Sequence, residues 1–212
     1  MKHMVFAVLG LGLFMSISSA QYEKEDTASS DIKIRKIEAT LTTAPRYSLQ
    51  GALPAADPSR KWLVVEADLL VAPEWADEVT LKFFVAAFYG SNAKSASEDG
   101  YDVLATSVTV VHVQRNVASA RRALVPVFLD PNSVKKYEPS GIDKFIQDVV
   151  VQAYYKGVLQ DTKWMKNPDN GRFWEKKQPR LGILLDLQQS PWFPAYVDHY
   201  EQMKPALTSP GL

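Results

Sequence analysis

Two features of the sequence predict an all-β domain built as a two-layer sandwich. The first is a series of short stretches in which apolar and polar residues alternate, the pattern of a half-buried strand. The second is the turn-forming Pro, Gly, Asn and Ser residues that separate these stretches. About seven stretches occur, without the strand and helix alternation that indicates a parallel sheet. They lie at residues 32–41, 61–71, 79–89, 103–113, 123–129, 149–159 and 180–187.

The first three predicted strands differ in regularity. Apolar residues occupy even positions at Ile32 and Ile34 but odd positions at Ile37 and beyond, which predicts a bulge near Arg35. A proline-rich connection over residues 42–60 follows. The alternation then becomes strict over the second strand and resumes over the third. We expect these two strands to pair as an antiparallel hairpin across the turn that separates them.

Proline sets the expected place of the fifth strand. Pro126 lies inside residues 123–129 and cannot donate a hydrogen bond to a ladder, so this strand is expected at a sheet edge or a bulge. An unpaired edge of this kind is also a possible site for a partner. Residues 130–141 are predicted to form a loop because proline, glycine and asparagine begin and end this stretch.

The longest strand-like tract, residues 142–164, is open to two interpretations. Consecutive valines and two tyrosines favour a strand over residues 149–159 with Gly157 at a bulge. A helix over residues 143–152 also fits the spacing of the apolar side chains. With the strand interpretation, the elements together predict an immunoglobulin-like β-sandwich of about seven antiparallel strands. An up-and-down barrel is the alternative.

The start of the chain predicts export. Lys2 precedes an almost wholly apolar run at residues 5–15, and small residues lead up to Ala20, the three-part pattern of a secretory signal peptide. We therefore expect a signal peptide over residues 1–20, a flexible acidic leader over residues 21–31 and the sandwich domain over residues 32–212. The expected location is the periplasm, the outer membrane or the cell surface.

Composition excludes several classes of function. Removal of residues 1–20, which contain one of the 24 basic residues and none of the 24 acidic residues, leaves a formal charge of −1. This balance gives no electrostatic basis for binding nucleic acid. Because the chain has no cysteine, it has no disulfide and no thiol nucleophile. Its stability must come from a packed core, for which the length is sufficient.

The sequence carries no catalytic or metal-binding motif. His112 and His199 are the histidines outside the predicted signal peptide, and neither has a second ligand at metal-binding spacing. No nucleophile elbow and no glycine-rich phosphate loop occurs. Carboxylates cluster at Glu74, Asp77 and Glu78, in an apparent turn where solvated charge is the default interpretation. We therefore predict a protein that is not an enzyme and that needs no cofactor or metal.

Aromatic side chains concentrate towards the C-terminus. Large rigid rings with polar tips suit either stacking on sugar rings or contact with a protein partner. The alternative is that the C-terminal segment packs back over the sandwich and closes its open end. The candidate contact residues are Trp164, Trp174, Trp192, Phe193, Tyr196 and Tyr200.

Three stretches carry a resemblance to a known family. They are "KWLVVEADLLVAPEWADEVTLKFFV" at residues 61–85, "VVVQAYYKGVLQDTKW" at residues 149–164 and "SPWFPAYVDHYEQMK" at residues 190–204. The chain resembles exported immunoglobulin-like proteins of verrucomicrobial bacteria that are encoded among type IV pilus-like genes and are similar in fold to archaeal type IV pilins. The resemblance implies a non-enzymatic envelope protein linked to pilus assembly, adhesion or host contact. The implied partners are other envelope or pilus-like proteins, or a second copy of the chain.

One departure from the pilin pattern changes the expected form of the protein. A pilin keeps its apolar segment, because its peptidase cuts ahead of that segment. Here His3 and Met4 precede the apolar run, no glutamate lies near its start, and the expected cut follows Ala20. We therefore expect a soluble accessory protein and not a filament subunit. A carbohydrate-binding sandwich that uses the C-terminal aromatics is the alternative function, with a glycan as the partner.

Overall fold

The computed structural model describes residues 30–45, 60–88, 100–137, 145–166, 171–196 and 198–205. The predicted signal peptide and almost all of the predicted leader lie outside these residues. None of the helices in the described part of the chain is long and apolar enough to cross a membrane. The strands are β1 Ile32–Thr43, β2 Lys61–Val71, β3 Trp75–Phe88, β4 Tyr101–Gln114, β5 Ala123–Leu129, β6 Ile146–Tyr155 and β7 Val158–Trp164, and the helices are α1 Pro131–Tyr137, α2 Phe173–Lys176 and α3 Phe193–Tyr196.

The strands form two antiparallel sheets that pack face to face, which confirms the predicted all-β sandwich. One sheet has the order β1-β2-β5 and the other has the order β4-β3-β6-β7. This is the immunoglobulin-like arrangement of first, second and fifth strands against third, sixth and seventh, with β4 placed beside β3. Two separate sheets also rule out the alternative of one closed barrel.

The core lies between the inner faces of the two sheets. Odd-numbered residues of β2 and β3, such as Leu63, Leu69, Leu81 and Phe83, are fully buried there. Their alternation with polar residues produced the strand prediction, and their burial is what holds the two sheets together. The expected bulge in β1 is also confirmed, since the register with β2 shifts between Ile34 and Lys36.

The predicted hairpin between the second and third strands is wrong. β2 pairs with β1 on one side and β5 on the other, whereas β3 pairs with β4 and β6 in the opposite sheet. The short connection at residues 72–74 therefore crosses from one sheet to the other. Alternation within a strand shows that one face is buried, but it does not show which neighbour the strand bonds.

The tract at residues 142–164 forms two strands and not one. β6 and β7 pair across a two-residue turn at Lys156 and Gly157, whose φ values of 51° and 77° match the left-handed pair of a type I′ turn. Gly157 thus lies in a hairpin turn and not at a bulge. The alternative helix over residues 143–152 is also wrong for its described part beyond Phe145, because β6 begins at Ile146.

Two further predictions are corrected C-terminal to β5. The predicted loop at residues 130–141 contains α1, which Asp130 caps by accepting hydrogen bonds from the backbone N–H groups of Asn132 and Ser133. Residues 180–187 form no strand: Arg180 and Leu185 make isolated bridges to different sheets. Gly182 between them has a φ of 74°, a left-handed conformation that turns the chain from one sheet towards the other.

Candidate functional site

The C-terminal residues 171–205, here called the tail, bond to β4 and β5, which form sheet edges on the same side of the sandwich. Phe128 of β5 and Leu185 exchange two backbone hydrogen bonds of 2.8 Å, and the N–H of Glu201 donates to the carbonyl of Leu124. On β4, the N–H of Val111 donates to the carbonyl of Gln202. The tail therefore occupies bonding groups on both edges of this side.

This covering corrects the expectation of an unpaired edge at Pro126. β5 is at the edge of its sheet, as predicted, but Leu185 and Glu201 bond its outer side. On the opposite side of the sandwich, the backbone N–H of Ile34 in β1 donates to the Asp161 carboxylate of β7 at 2.7 Å. An acidic side chain that takes up an edge N–H discourages addition of a further strand at that point.

Trp192 anchors the tail to the sandwich. Its ring stacks on Phe128 with centroids 5.0 Å apart and meets the edge of Trp62 at 5.6 Å. Only 6% of Trp192 is exposed. The ring is therefore part of the core and has no free face for a ligand.

Trp174 belongs to a second aromatic cluster, on the outer face of the four-stranded sheet. It stacks on Phe84 of β3 at 5.4 Å and lies 6.0 Å from Trp164 of β7. Trp174 is 8% exposed, whereas Trp164 is half-buried. The indole N–H of Trp164 is buried and has no hydrogen-bond partner among the described residues. α2 holds this cluster against the sheet, so its main role is to cover apolar strand residues.

The exposed aromatics of the tail lie on α3, immediately after the Trp192 anchor. Phe193 is 42% exposed and Tyr196 is 39% exposed. Phe193 also lines a depression of about 440 Å³, here called the tail groove. Apolar, amide and carboxylate side chains line it together: Leu187, Gln188, Phe193, Asp198, Tyr200, Glu201, Gln202, Met203 and Pro205.

Two polar side chains that line the tail groove, Tyr200 and Glu201, bond to residues outside the tail. The hydroxyl of Tyr200 donates to the Glu66 carboxylate of β2 at 2.8 Å, and burial together with this acceptor raises the pKa of Tyr200. Glu201 is 7% exposed and accepts a hydrogen bond from Arg121 at 2.8 Å. Burial raises the pKa of Glu201, while the charge of Arg121 acts in the opposite direction. The Tyr200 contact ties the tail to β2, and the Glu201 contact ties it to the loop between β4 and β5.

The predicted candidate residues therefore separate into two groups. Phe193 and Tyr200 line the tail groove, and Tyr196 is exposed on the same helix as Phe193. Trp192 is buried in one cluster, whereas Trp174 is buried and Trp164 half-buried in the other. The sequence patterns did not single out Gln188 and Gln202 of the polar lining, although these residues lie within a few positions of the aromatics. Packing against the sandwich thus accounts for Trp174 and Trp192, whereas a contact role for the exposed aromatics Phe193 and Tyr196 remains a prediction.

The described residues contain no group of three or more His, Cys, Asp or Glu side chains placed to hold a metal ion. His112 is exposed on β4, with a left-handed φ of 53°. His199 is also exposed, and its ring lies edge-on to Tyr200 at 4.9 Å. Glu74, Asp77 and Glu78 are exposed, as solvated carboxylates are. The absence of enzymatic activity remains a prediction.

Comparison with known proteins places the chain in a family. A protein-family model matches residues 23–206 of the chain. The chain belongs to this family. A crystal structure of a protein from Akkermansia muciniphila, a verrucomicrobium, is similar in fold, with a TM-score of 0.67 and 21% sequence identity over 82% of this chain and 93% of that one. No curated protein matches the chain. The links to pilus-like genes and to archaeal pilins remain predictions.

Proposed function

We propose that the protein is a non-enzymatic interaction module of the cell envelope that binds a protein partner through Phe193, Tyr196 and the tail groove. The main support for this proposal is that two large aromatic side chains are exposed directly after a buried anchor, Trp192. Rings held on a fixed backbone lose little conformational entropy on binding, and exposed aromatics beside a depression are typical of binding hot spots. Family membership and the predicted signal peptide support export as the setting.

The finer part of the proposal links this module to type IV pilus-like assembly, adhesion or host contact. It rests on the sequence resemblance, and the expected cut after Ala20 favours a soluble accessory protein over a filament subunit. Coverage of the β5 edge by the tail agrees with this role, because a subunit that polymerises by strand addition needs an open edge. The mature N-terminus, determined by sequencing the protein from fractionated native cells, is expected at Gln21.

Site-specific photocrosslinking in native cells tests the proposed surface. A photoreactive residue at position 193 or 196 is expected to capture an envelope or pilus-like protein, which is then identified by mass spectrometry. Thr40, exposed on β1 at the far edge of the three-stranded sheet, is the matched control position. Capture of the same protein at all three positions, or at none, would contradict the proposal.

A glycan is the second candidate ligand of the same surface. Aromatic faces beside Gln188, Asp198 and Gln202 give the combination of stacking and hydrogen bonding that sugar rings require. Because Trp174 and Trp192 are buried, we expect glycan binding to depend on Phe193 and Tyr196 instead. Calorimetry with a panel of mucin-type and plant-type sugars checks this, with the double variant F193A/Y196A as control. Binding that persists in the double variant would place the glycan elsewhere.

A further inference from the structure

The bulge in β1 places two consecutive basic residues on the outer face of the three-stranded sheet. Side chains alternate between the two faces of a regular strand. The register with β2 shifts between Ile34 and Lys36, so Arg35 is the extra residue of the bulge. Ile34 and Ile37 on either side are buried in the core, whereas Arg35 and Lys36 are both exposed. A bulge of this kind re-aims side chains, and such bulges are common next to functional sites.

Arg35 and Arg122, here called the arginine pair, converge on one carboxylate oxygen of β2. Arg35 donates to Oδ2 of Asp68 through Nε at 3.1 Å and through Nη2 at 2.7 Å. Arg122, which directly precedes β5, donates to the same oxygen through Nε at 3.0 Å. Because both bond one atom, the two guanidinium groups lie close together on the protein surface.

The carboxylate between the arginines is buried, whereas the guanidinium groups are not. The side chains of Arg35 and Arg122 are 36% and 46% exposed, against 4% for Asp68. In the described part of the chain, no residue bonds Nη1 of either arginine. Solvent therefore meets the positive side of this cluster, with N–H donors still available for a ligand.

The charges around the arginine pair leave an excess of positive charge. Glu38 accepts hydrogen bonds from Lys36 and, at 3.3 Å, from Arg122. The bond from Lys36 holds the pKa of Glu38 below its usual value, so this carboxylate is charged at neutral pH. Two carboxylates, Glu38 and Asp68, thus face three cations.

The arginine pair is separate from the tail groove. Arg121 is adjacent to Arg122 in the sequence, but it pairs with Glu201 of the tail at 2.8 Å, while Arg122 bonds Asp68 of β2. Neither Arg35 nor Arg122 lines the tail groove. A ligand of the arginine pair therefore does not depend on the function proposed above.

We propose that the arginine pair binds an oxyanion of the phosphate class. A guanidinium presents its N–H groups in a planar fork that matches the oxygens of a phosphate, and hydrogen bonds between charged groups are stronger than neutral ones. A phosphate monoester carries a charge of about −1.5 to −2 at neutral pH, so it fits an excess of positive charge better than a single carboxylate does. Asp68 holds both guanidiniums in place before the ligand arrives, which lowers the entropic cost of binding.

Titration of the isotope-labelled full-length protein with inorganic phosphate, followed by NMR, tests the site. The Nε–H resonances of Arg35 and Arg122 are expected to shift with one common dissociation constant. Arg172 is the internal control, because it is exposed and pairs at 3.2 Å with the exposed Glu175, and its resonance is expected to stay in place. Sodium chloride at the same ionic strength is expected to shift none of them. Equal shifts of all three arginines, or equal shifts with chloride, would overturn the proposal.

Substitutions separate the arginine fork from charge alone. Arg35→Gln and Arg122→Gln are each expected to raise the dissociation constant for phosphate about tenfold, as loss of a hydrogen bond between charged groups does. Each variant keeps the other arginine on Asp68, and far-UV circular dichroism checks that it is folded. Arg172→Gln is the matched control and is expected to leave the constant unchanged. Arg122→Lys keeps the charge but loses the fork, so it is also expected to weaken binding, and wild-type affinity in this variant would overturn the assignment.

A further arm identifies the source of the phosphate group. The protein is sedimented with vesicles of phosphatidylcholine, prepared with and without phosphatidic acid. Binding only to vesicles that contain phosphatidic acid, lost in Arg35→Gln, would assign the phosphate of a lipid headgroup. Binding of inorganic phosphate without binding to either vesicle would assign a soluble phosphate. A wild-type protein that binds neither inorganic phosphate nor these vesicles would overturn the proposal.

Discussion

Trp192 lies stacked on Phe128, with ring centroids 5.0 Å apart, and so joins the tail to the outer face of the strand that forms a sheet edge. Phe128 also exchanges two backbone hydrogen bonds with Leu185, so side-chain and main-chain contacts close the edge at the same residue. The next residue after the anchor, Phe193, points a large exposed side chain away from the core. The tail thus covers the sandwich and presents a surface through adjacent residues.

Substitution of the anchor should separate these two roles. Trp192→Ala is expected to lower the free energy of unfolding by about 3–5 kcal/mol, because it leaves a cavity against Phe128 and Trp62. Phe193→Ala, at an exposed neighbouring position, is expected to change it by less than about 0.5 kcal/mol. Urea denaturation monitored by circular dichroism measures both. Equal losses for the two variants would show that Phe193 is part of the core.

The sandwich could be predicted because the alternation of apolar and polar residues depends only on residues that are close together in the sequence. Alternation over β2 and the phase change near Arg35 in β1 depend on which face of a strand is buried, and the structure confirms both. The predicted pairing of β2 with β3 was wrong. A short connection between two strands has similar residues whether it joins neighbours in one sheet or crosses from one sheet to the other. Gly157 was assigned to a bulge for a related reason, since a two-residue turn barely interrupts the alternation.

The candidate site was less predictable than the fold. Composition identified the aromatic tail, but the choice between core and surface for Trp192 and Phe193, which are adjacent, depends on where the tail lies on β5. That placement is set by long-range contacts, such as those of Leu185 with Phe128 and of Tyr200 with Glu66. No periodicity within the tail records these contacts, because the tail contains bends and isolated bridges and no regular strand.

The stability of the protein should respond unequally to loss of the two members of the ion pair between Arg121 and Glu201, which lines the tail groove. Arg121→Ala leaves the Glu201 carboxylate buried without its cation, and we expect a loss of about 1–3 kcal/mol in the free energy of unfolding at neutral pH. Glu201→Gln keeps an acceptor for Arg121 and removes the buried charge, so its loss is expected to be less than about 1 kcal/mol. Urea denaturation of both variants at one pH measures the difference. A greater loss for Glu201→Gln would mean that the charge of Glu201 is a net source of stability.

The pH dependence of the same pair follows from its pKa. Burial raises the pKa of Glu201 in the folded state, so the folded protein holds this proton more tightly than the unfolded chain. The resulting stability is fully present below the pKa of the unfolded chain and is lost as pH rises through the folded pKa. Denaturation curves across the acid range should show this decline in the wild type and not in Glu201→Gln. Parallel curves for the two proteins would contradict the assignment.

Asn116 should hold the end of β2 against the loop that follows β4 through its side chain. Asn116→Ala leaves the N–H of Val71 and the carbonyl of Leu69 without these partners, and we expect a loss of about 1–3 kcal/mol in the free energy of unfolding. Ser119→Ala, which removes an exposed hydroxyl that donates to Asn116, is the control and is expected to cost less than about 0.5 kcal/mol. Hydrogen exchange should show faster exchange at Val71 in Asn116→Ala alone. Unchanged exchange there would mean that the loops are held by other contacts.

The turn between β6 and β7 offers a pair of substitutions with opposite expected effects. Lys156 adopts a φ of 51°, which asparagine tolerates better than lysine, so Lys156→Asn is expected to raise the free energy of unfolding by up to about 1 kcal/mol. Gly157 has a φ of 77° and open space around its Cα, so Gly157→Ala is expected to lower it by about 1 kcal/mol or more through backbone strain alone. Thermal and urea denaturation measure both variants. If Gly157→Ala were neutral, the turn would have to adopt another conformation in solution.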